Sequence, residues 1–143
     1  GSLKLKMRRY LDTPKREMSI VRKANTKIVN HPIYKSTNTD ILEVKQVELT
    51  DTATVVHFYA YYIPKYWIQI MKNIQLVADN GTVCPVLRSE GIPLGEKFYM
   101  PESGEADYTL YFAPLPEGTR SFDMVEPGDS NSDRVEGISL TLE

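Results

Sequence analysis

The chain has 143 residues, of which 41% are hydrophobic and 25% are charged, values that are typical of one globular domain. The charge is unevenly distributed: residues 1–27 carry nine Lys and Arg against two acidic residues, whereas the remainder carries eight against seventeen. No apolar run approaches the ~20 residues that a membrane-spanning helix requires, and the single cysteine excludes an internal disulfide. We therefore predict a flexible basic leader over residues 1–27 and one domain over residues 28–143, with no integral membrane segment.

The first two residues, Gly1 and Ser2, are typical of what remains after an expression tag is cleaved. We therefore expect the chain to be a domain of a longer protein. Outside the leader, no interleaving of aromatic and basic residues indicates a groove for single-stranded nucleic acid, and we predict no nucleic-acid partner.

Residues 53–62, with the sequence ATVVHFYAYY, form the most strongly patterned stretch of the chain. Their side chains alternate in character with a period of two residues, as expected for a strand with two distinct faces. Residues 41–49 alternate in the same way, except for a slip in phase at Gln46 that predicts a β-bulge. Because only the short polar turn at residues 50–52 separates the two stretches, we predict a hairpin.

Residues 65–79 fit two different structures. The spacing of their apolar residues suits a helix, but two short β-branched and aromatic runs, which begin at Trp67 and Ile74, also suit strands. We favour the strands, because Asn80-Gly81 then supplies the positive φ angles of a two-residue hairpin turn before a returning strand.

Glycine and proline punctuate the rest of the chain. From Gly81 to Gly137 there are seven glycines and six prolines, and the longest interval without either has nine residues. Such intervals are too short for a typical helix but accommodate strands, for which residues 108–112, 122–126 and 135–142 are the candidates. We therefore predict an all-β fold, an antiparallel β-sandwich of about eight or nine short strands.

Few residues have the pattern of a reactive site. Cys84 is followed by Pro85 within a predicted strand, where nothing would lower its pKa, and we interpret it as a structural thiol. The two histidines, His31 and His57, are far apart in sequence and have no nearby nucleophile, so we expect packing roles and no metal site.

Three carboxylates, those of Glu102, Glu105 and Asp107, surround Ser103 and Gly104. Carboxylates that converge in a cleft could act as the acid and base of a hydrolase, or bind calcium. A polar turn between two strands accounts for the same residues without any chemistry, and we favour that interpretation.

Aromatic residues are concentrated between Tyr59 and Trp67, a stretch that contains four tyrosines and the single tryptophan. If the apolar side of residues 53–62 faces the core, then Tyr59 and Tyr61 face outward. Outward aromatic rings can stack on a sugar, a peptide or another domain, although tyrosines also pair across strands without any ligand. We predict Tyr59, Tyr61 and Trp67 as the residues that bind a ligand or partner.

A set of short motifs resembles a known family. The motifs are Val47-Glu48-Leu49-Thr50-Asp51-Thr52-Ala53-Thr54-Val55, Trp67-Ile68-Gln69-Ile70, Gly91-Ile92-Pro93-Leu94, Met100-Pro101-Glu102-Ser103-Gly104-Glu105, Phe112-Ala113-Pro114-Leu115-Pro116-Glu117-Gly118-Thr119, Phe122-Asp123-Met124-Val125-Glu126 and Gly137-Ile138-Ser139-Leu140. Together they resemble the N-terminal immunoglobulin-like domain of extracytoplasmic thioredoxin-fold proteins of Bacteroidota, of the thiol–disulfide reductase type. The resemblance implies an immunoglobulin-like sandwich in the periplasm or cell envelope, beside a thioredoxin domain. No Cys-x-x-Cys is present, so no redox activity is implied for this chain.

These patterns together predict a function without catalysis. We expect an accessory domain that binds a protein or the adjacent domain and that uses no cofactor or metal. Two alternatives remain open, a carbohydrate-binding sandwich and a hydrolase that uses the carboxylates at residues 102–107.

Overall fold

The computed structural model of the protein describes residues 17–128 and 132–142, and within these ranges it contains strands but no helix. The strands are β1 (Ser19–Lys23), β2 (Thr26–Asn30), β3 (Ser36–Thr37), β4 (Leu42–Leu49), β5 (Thr54–Tyr61), β6 (Trp67–Ile68), β7 (Gln75–Ala78), β8 (Val83–Glu90), β9 (Phe98–Tyr99), β10 (Glu105–Phe112), β11 (Ser121–Val125) and β12 (Arg134–Ser139). The prediction of an all-β fold is confirmed. The described residues form more strands than the eight or nine expected, partly because three strands have only two residues each.

Ten of these strands form one antiparallel sheet that curls into a sandwich-like fold. Sheet A is the half with the order β1-β2-β4-β5-β10-β8, and sheet B is the half with the order β8-β7-β11-β12-β3. Strand β8 belongs to both halves, since Val83, Cys84 and Pro85 pair with β7 whereas its later residues pair with β10. A strand that changes sheets in this way allows one sheet to fold over its own core.

The core lies between the two halves. Sheet A contributes the alternate residues Val56, Phe58 and Ala60 of β5, all of which are buried, as the two-residue period predicts. The ring of Phe58 stacks on that of Tyr108 in β10, with ring centroids 4.7 Å apart and planes 9° apart. Phe122 is among the buried residues of sheet B. This arrangement leaves the opposite side of β5 directed away from the core.

The predicted hairpin of β4 and β5 is confirmed, together with its bulge. Val44 pairs with Phe58 and Gln46 pairs with His57, so that Lys45 is the extra residue of β4. The backbone N–H of His31 donates a hydrogen bond of 2.9 Å to the Lys45 carbonyl. The carbonyl of the bulged residue is therefore satisfied, and the bulge brings Lys45 and Gln46, consecutive in the chain, to the same side of the sheet.

The sheet begins earlier in the chain than the sequence predicted. β1 and the start of β2 fall within residues 17–27, which the charge pattern assigned to the leader. They pair in register from Ser19 opposite Asn30 to Lys23 opposite Thr26. This part of the basic segment is therefore strand, whereas residues 1–16 of the predicted leader lie outside the described residues.

The ambiguous stretch at residues 65–79 contains the two strands β6 and β7, as favoured, and not a helix. The turn between β7 and β8 differs in detail from the prediction. The Gly81 N–H donates to the Ala78 carbonyl and the Ala78 N–H donates to the Thr82 carbonyl, and of the loop residues only Gly81 has a positive φ. This is a three-residue hairpin loop with glycine in the left-handed position, rather than a two-residue turn.

Candidate functional site

The predicted residues Tyr59 and Tyr61 lie on the side of β5 that faces away from the core. Both are half-buried, and their ring centroids are 6.1 Å apart with planes inclined by 31°. Neighbouring strands bring further polar and aromatic side chains to the same side, which we call the outer face of sheet A. The polar and aromatic residues of the outer face are Ser19, Lys23, Thr26, Asn30, Glu43, Lys45, Gln46, Glu48, His57, Tyr59, Tyr61, Arg88, Glu90, Glu105, Asp107, Thr109 and Tyr111.

Strand β4 supplies a partner to each of the two tyrosines. The Tyr61 hydroxyl donates a hydrogen bond of 2.7 Å to Glu43 Oε2. The Lys45 ammonium lies 4.6 Å from the centroid of the Tyr59 ring, where it makes a cation–π contact. Lys45 follows Glu43 by two residues, so alternation alone directs it to this side, whereas the bulge lets the next residue, Gln46 opposite His57, point the same way.

Carboxylates flank Tyr59 on both sides. In the strand register, Tyr59 lies directly between Glu43 of β4 and Asp107 of β10, and Tyr61 lies opposite Glu105. Adjacent strands are about 4.8 Å apart, so side chains in one such row lie within reach of a common ligand group. The row Glu43–Tyr59–Asp107 therefore presents an aromatic ring between two acidic groups.

His57 is held between its two neighbouring strands. Its Nδ1 lies 2.9 Å from the Thr109 hydroxyl, and its Nε2 lies 3.1 Å from a Glu48 carboxylate oxygen. No local sequence pattern indicates this trio, because the three residues lie on three different strands. The order hydroxyl, imidazole, carboxylate is that of a catalytic triad, but an oxyanion must also be stabilised by aimed donors. The β5 and β10 amides around it pair with each other in the sheet ladder, and the trio links β4, β5 and β10 by side-chain hydrogen bonds.

A second cluster lies on β8 and β10. The guanidinium carbon of Arg88 is 3.6 Å from the centroid of the Tyr111 ring, and Arg88 also pairs with Glu90 at 3.3 Å. The Tyr111 hydroxyl donates to Glu90, which lowers the pKa of that carboxyl, with a further contribution from Arg88. The alternation of residues 108–112 places Tyr111 outward, but the sequence alone did not reveal that it shares a face with Tyr59.

Trp67 is not brought together with the two tyrosines on sheet A. It lies in β6, which pairs with β9 in a separate two-stranded sheet, and its partner there is Tyr99. Both side chains are exposed, by 43% for Trp67 and 62% for Tyr99. The Lys97 ammonium lies 4.6 Å from the Trp67 ring centroid, so this ring too carries a cation on one side. The three predicted residues therefore occupy two different sheets.

The carboxylates of the hydrolase alternative lie at exposed positions. Glu102 pairs with Lys65 at 3.6 Å, and its side chain is 87% exposed. Glu105 and Asp107 follow at alternate positions of β10, where both belong to the outer face of sheet A. Ser103 makes hydrogen bonds with the backbone of Glu105, as in a polar turn. A glycosidase pair requires two carboxyls that flank a bound substrate, whereas these side chains are directed toward solvent.

Cys84 is 1% exposed, and its thiol lies 3.6 Å from the Pro114 carbonyl. Burial raises the pKa of the thiol, which is the opposite of what a nucleophilic thiolate requires. Among residues 17–128 and 132–142, no group of three or more His, Cys, Asp or Glu side chains is arranged to hold a metal ion. The same residues include no helix long and apolar enough to span a membrane.

Comparison with known proteins found no matching family model, no similar curated protein and no similar solved structure.

Proposed function

We propose that the protein is a non-catalytic accessory domain that docks a protein or an adjacent domain through the outer face of sheet A. The observation that carries this proposal is the fixed, outward placement of Tyr59 and Tyr61 between charged neighbours. The hydrogen bond from Tyr61 to Glu43 and the Lys45 contact on Tyr59 already restrict both side chains. Such side chains lose little further conformational entropy when a partner binds.

The residue types also suit a protein interface. Tyrosine is enriched among the residues that contribute most to protein–protein binding, because a ring buries a large area with few rotatable bonds. The charged groups around the rings would determine which partner binds and in which orientation, and would contribute less to the affinity.

The carbohydrate-binding alternative is less well supported. Sugars bind to tyrosine and tryptophan by stacking on an open ring face. Here Lys45 lies over Tyr59, Arg88 over Tyr111 and Lys97 over Trp67. A sugar that stacked on those sides would have to displace a cation from each ring without replacing its charge, which favours a protein partner.

The location and the neighbour rest on the motif resemblance. We propose that this is an immunoglobulin-like module of the periplasm or cell envelope and that the full-length protein continues into a thioredoxin-like domain. The adjacent domain is then the first candidate for the partner.

The reading frame of the gene provides the first test, since we expect it to encode a Cys-x-x-Cys thioredoxin-like domain beside this one. Titration calorimetry would then measure binding between the two domains expressed as separate chains. We expect Tyr59→Ala combined with Tyr61→Ala to weaken binding at least about tenfold, or ~1.4 kcal/mol, as for residues central to an interface. The melting temperature should change little, because both tyrosines lie outside the core cluster.

The control combines Ile33→Ala with Tyr34→Ala, which removes exposed apolar side chains from a segment bonded to β12 of sheet B, since the Ser139 N–H donates to the Ile33 carbonyl. This control should bind like the wild type. Equal affinity of the tyrosine variant and the wild type would refute the proposed surface. A large loss of stability in the tyrosine variant would instead assign the rings a structural role.

A further inference from the structure

We propose that the outer face of sheet A recognises a cationic protein segment, with an arginine or lysine head group seated on Tyr59 between Glu43 and Asp107. This inference deepens the proposed function, and rests on it, by naming the chemistry of the partner.

The contacts that already exist on this face favour a cationic partner. Two of its rings hold a cation from the same chain, Tyr59 with Lys45 at 4.6 Å and Tyr111 with Arg88 at 3.6 Å. The electron-rich face of an aromatic ring attracts a cation, and the attraction strengthens when a partner excludes water. A partner's arginine or lysine would replace Lys45 on the Tyr59 ring, and so exchange one cation–π contact for another of the same kind.

The strand register also favours a cationic group at Tyr59. Glu43 and Asp107 are the direct cross-strand neighbours of Tyr59, on opposite sides of it, and both are exposed. A guanidinium that stacks on the ring can donate hydrogen bonds to a carboxylate beside it, because its donors lie in the plane of the stacked group. An ammonium can do the same with less directional donors. The row thus matches both the charge and the planar shape of arginine.

The charge of the whole face also favours a cation. The face contains five carboxylates, those of Glu43, Glu48, Glu90, Glu105 and Asp107, against three permanent cations, Lys23, Lys45 and Arg88. An anionic partner would meet an unfavourable potential, whereas a basic segment would be attracted at long range. A divalent metal ion is a poorer match, because the described residues include no group of three or more ligating side chains arranged to hold one.

The test uses the full chain and a defined probe, the peptide N-acetyl-hexa-arginine amide, with hexa-lysine and hexa-glutamine peptides for comparison. Fluorescence anisotropy of a labelled peptide gives the dissociation constant at low salt. We expect hexa-arginine to bind more tightly than hexa-lysine, and hexa-glutamine not to bind.

Two double variants with the same net charge distinguish binding at the proposed Tyr59 site from general electrostatic attraction. Glu43→Gln with Asp107→Asn should weaken hexa-arginine binding about tenfold or more, because it removes the charge-assisted hydrogen bonds. Glu96→Gln with Glu117→Gln removes two exposed carboxylates elsewhere and should weaken binding less than about twofold. Tyr59→Leu leaves the charge unchanged and should weaken binding about two- to fivefold through loss of the cation–π contact.

Equal weakening by the two double variants, or no effect of Tyr59→Leu, would overturn the inference, because binding would then depend on net charge alone. Absence of hexa-arginine binding would overturn it too. If Tyr59→Ala combined with Tyr61→Ala nevertheless abolished docking of the adjacent domain, the proposed function would stand. Only the binding of a cationic group at Tyr59 would then be rejected.

Discussion

Gly104 offers a quantitative test of how the outer face is held in place. It is buried, has φ +72° and directly precedes Glu105, the residue opposite Tyr61. A Cβ added to Gly104 would lie 2.7 Å from the carbonyl oxygen of Tyr62. The Tyr62 N–H donates to the Gly104 carbonyl at 3.0 Å, so the substitution acts on two backbone segments that are bonded to each other. Neither can rotate away as a flexible side chain could.

Gly81 is the control for Gly104, because alanine there has the cost of a left-handed conformation without the cost of a steric contact. It has φ +90°, but a Cβ there would meet no atom within 4 Å. An alanine pays roughly 1–2 kcal/mol for a left-handed conformation at either position. At Gly104 the contact must also be relieved by stretching or breaking the hydrogen bond to Tyr62, which costs about 1–3 kcal/mol when a buried group is left unpaired. We therefore expect Gly104→Ala to be more destabilising than Gly81→Ala by about 1–3 kcal/mol.

Urea denaturation, followed by Trp67 fluorescence and by far-UV circular dichroism, measures the free energy of unfolding of both variants. In thermal unfolding the same difference corresponds to a melting temperature lower by about 3–9 °C for a domain of this size. If the two variants agreed within about 0.5 kcal/mol, the reasoning would be refuted, because the Tyr62 contact would then contribute nothing. Gly104→Ala should also weaken docking of the adjacent domain if this turn positions Glu105.

Three further substitutions have effects that can be predicted from the surroundings or the backbone conformation of a single residue. Thr54→Val should lower the free energy of unfolding by about 1–3 kcal/mol in urea, because Thr54 is fully buried and its hydroxyl oxygen accepts the Leu115 N–H at 2.9 Å. Ala24→Gly should raise the melting temperature and the free energy of unfolding, by up to about 1 kcal/mol, since Ala24 has φ +55° in the turn between β1 and β2. Glu126→Gln should stabilise the domain at pH 7, because burial, with the nearby Asp133, raises the pKa of Glu126 above its ordinary value. Because its pKa is raised in the folded state, Glu126 contributes stability to the wild type only below its unfolded-state pKa, and this contribution is lost as the pH rises through the folded-state pKa. The advantage of Glu126→Gln over the wild type should therefore vanish near pH 4. Each prediction has an outcome that would contradict it. These outcomes are a Thr54→Val protein as stable as the wild type, an Ala24→Gly protein less stable than the wild type, and a Glu126→Gln effect of equal size at pH 7 and pH 4.

Much of the fold could be predicted from local patterns. The two-residue alternation of residues 53–62 determined which side of β5 is buried, because consecutive side chains of a strand must point to opposite faces. The phase slip at Gln46 predicted the bulge for the same reason. The glycines and prolines after Gly81 left intervals too short for typical helices, and the confirmed all-β fold follows from that spacing.

The limits of the domain and the composition of the candidate site required long-range pairing. The basic residues of β1 have no alternating pattern strong enough to indicate a strand, but hydrogen bonding to β2 makes this segment part of sheet A. Likewise, Trp67 is near Tyr59 and Tyr61 in sequence, but it belongs to a different sheet because β6 pairs with β9. Sequence proximity does not determine which strands pair.

The sequence by itself therefore determined the strand character and the outward direction of Tyr59 and Tyr61, since both depend on the geometry of one strand. Only the tertiary structure placed Glu43 and Asp107 beside Tyr59, because these residues come from strands 16 positions before and 48 positions after it in the chain. The order of strands in the sheet is set by how the whole core is buried, and a local pattern carries no information about it.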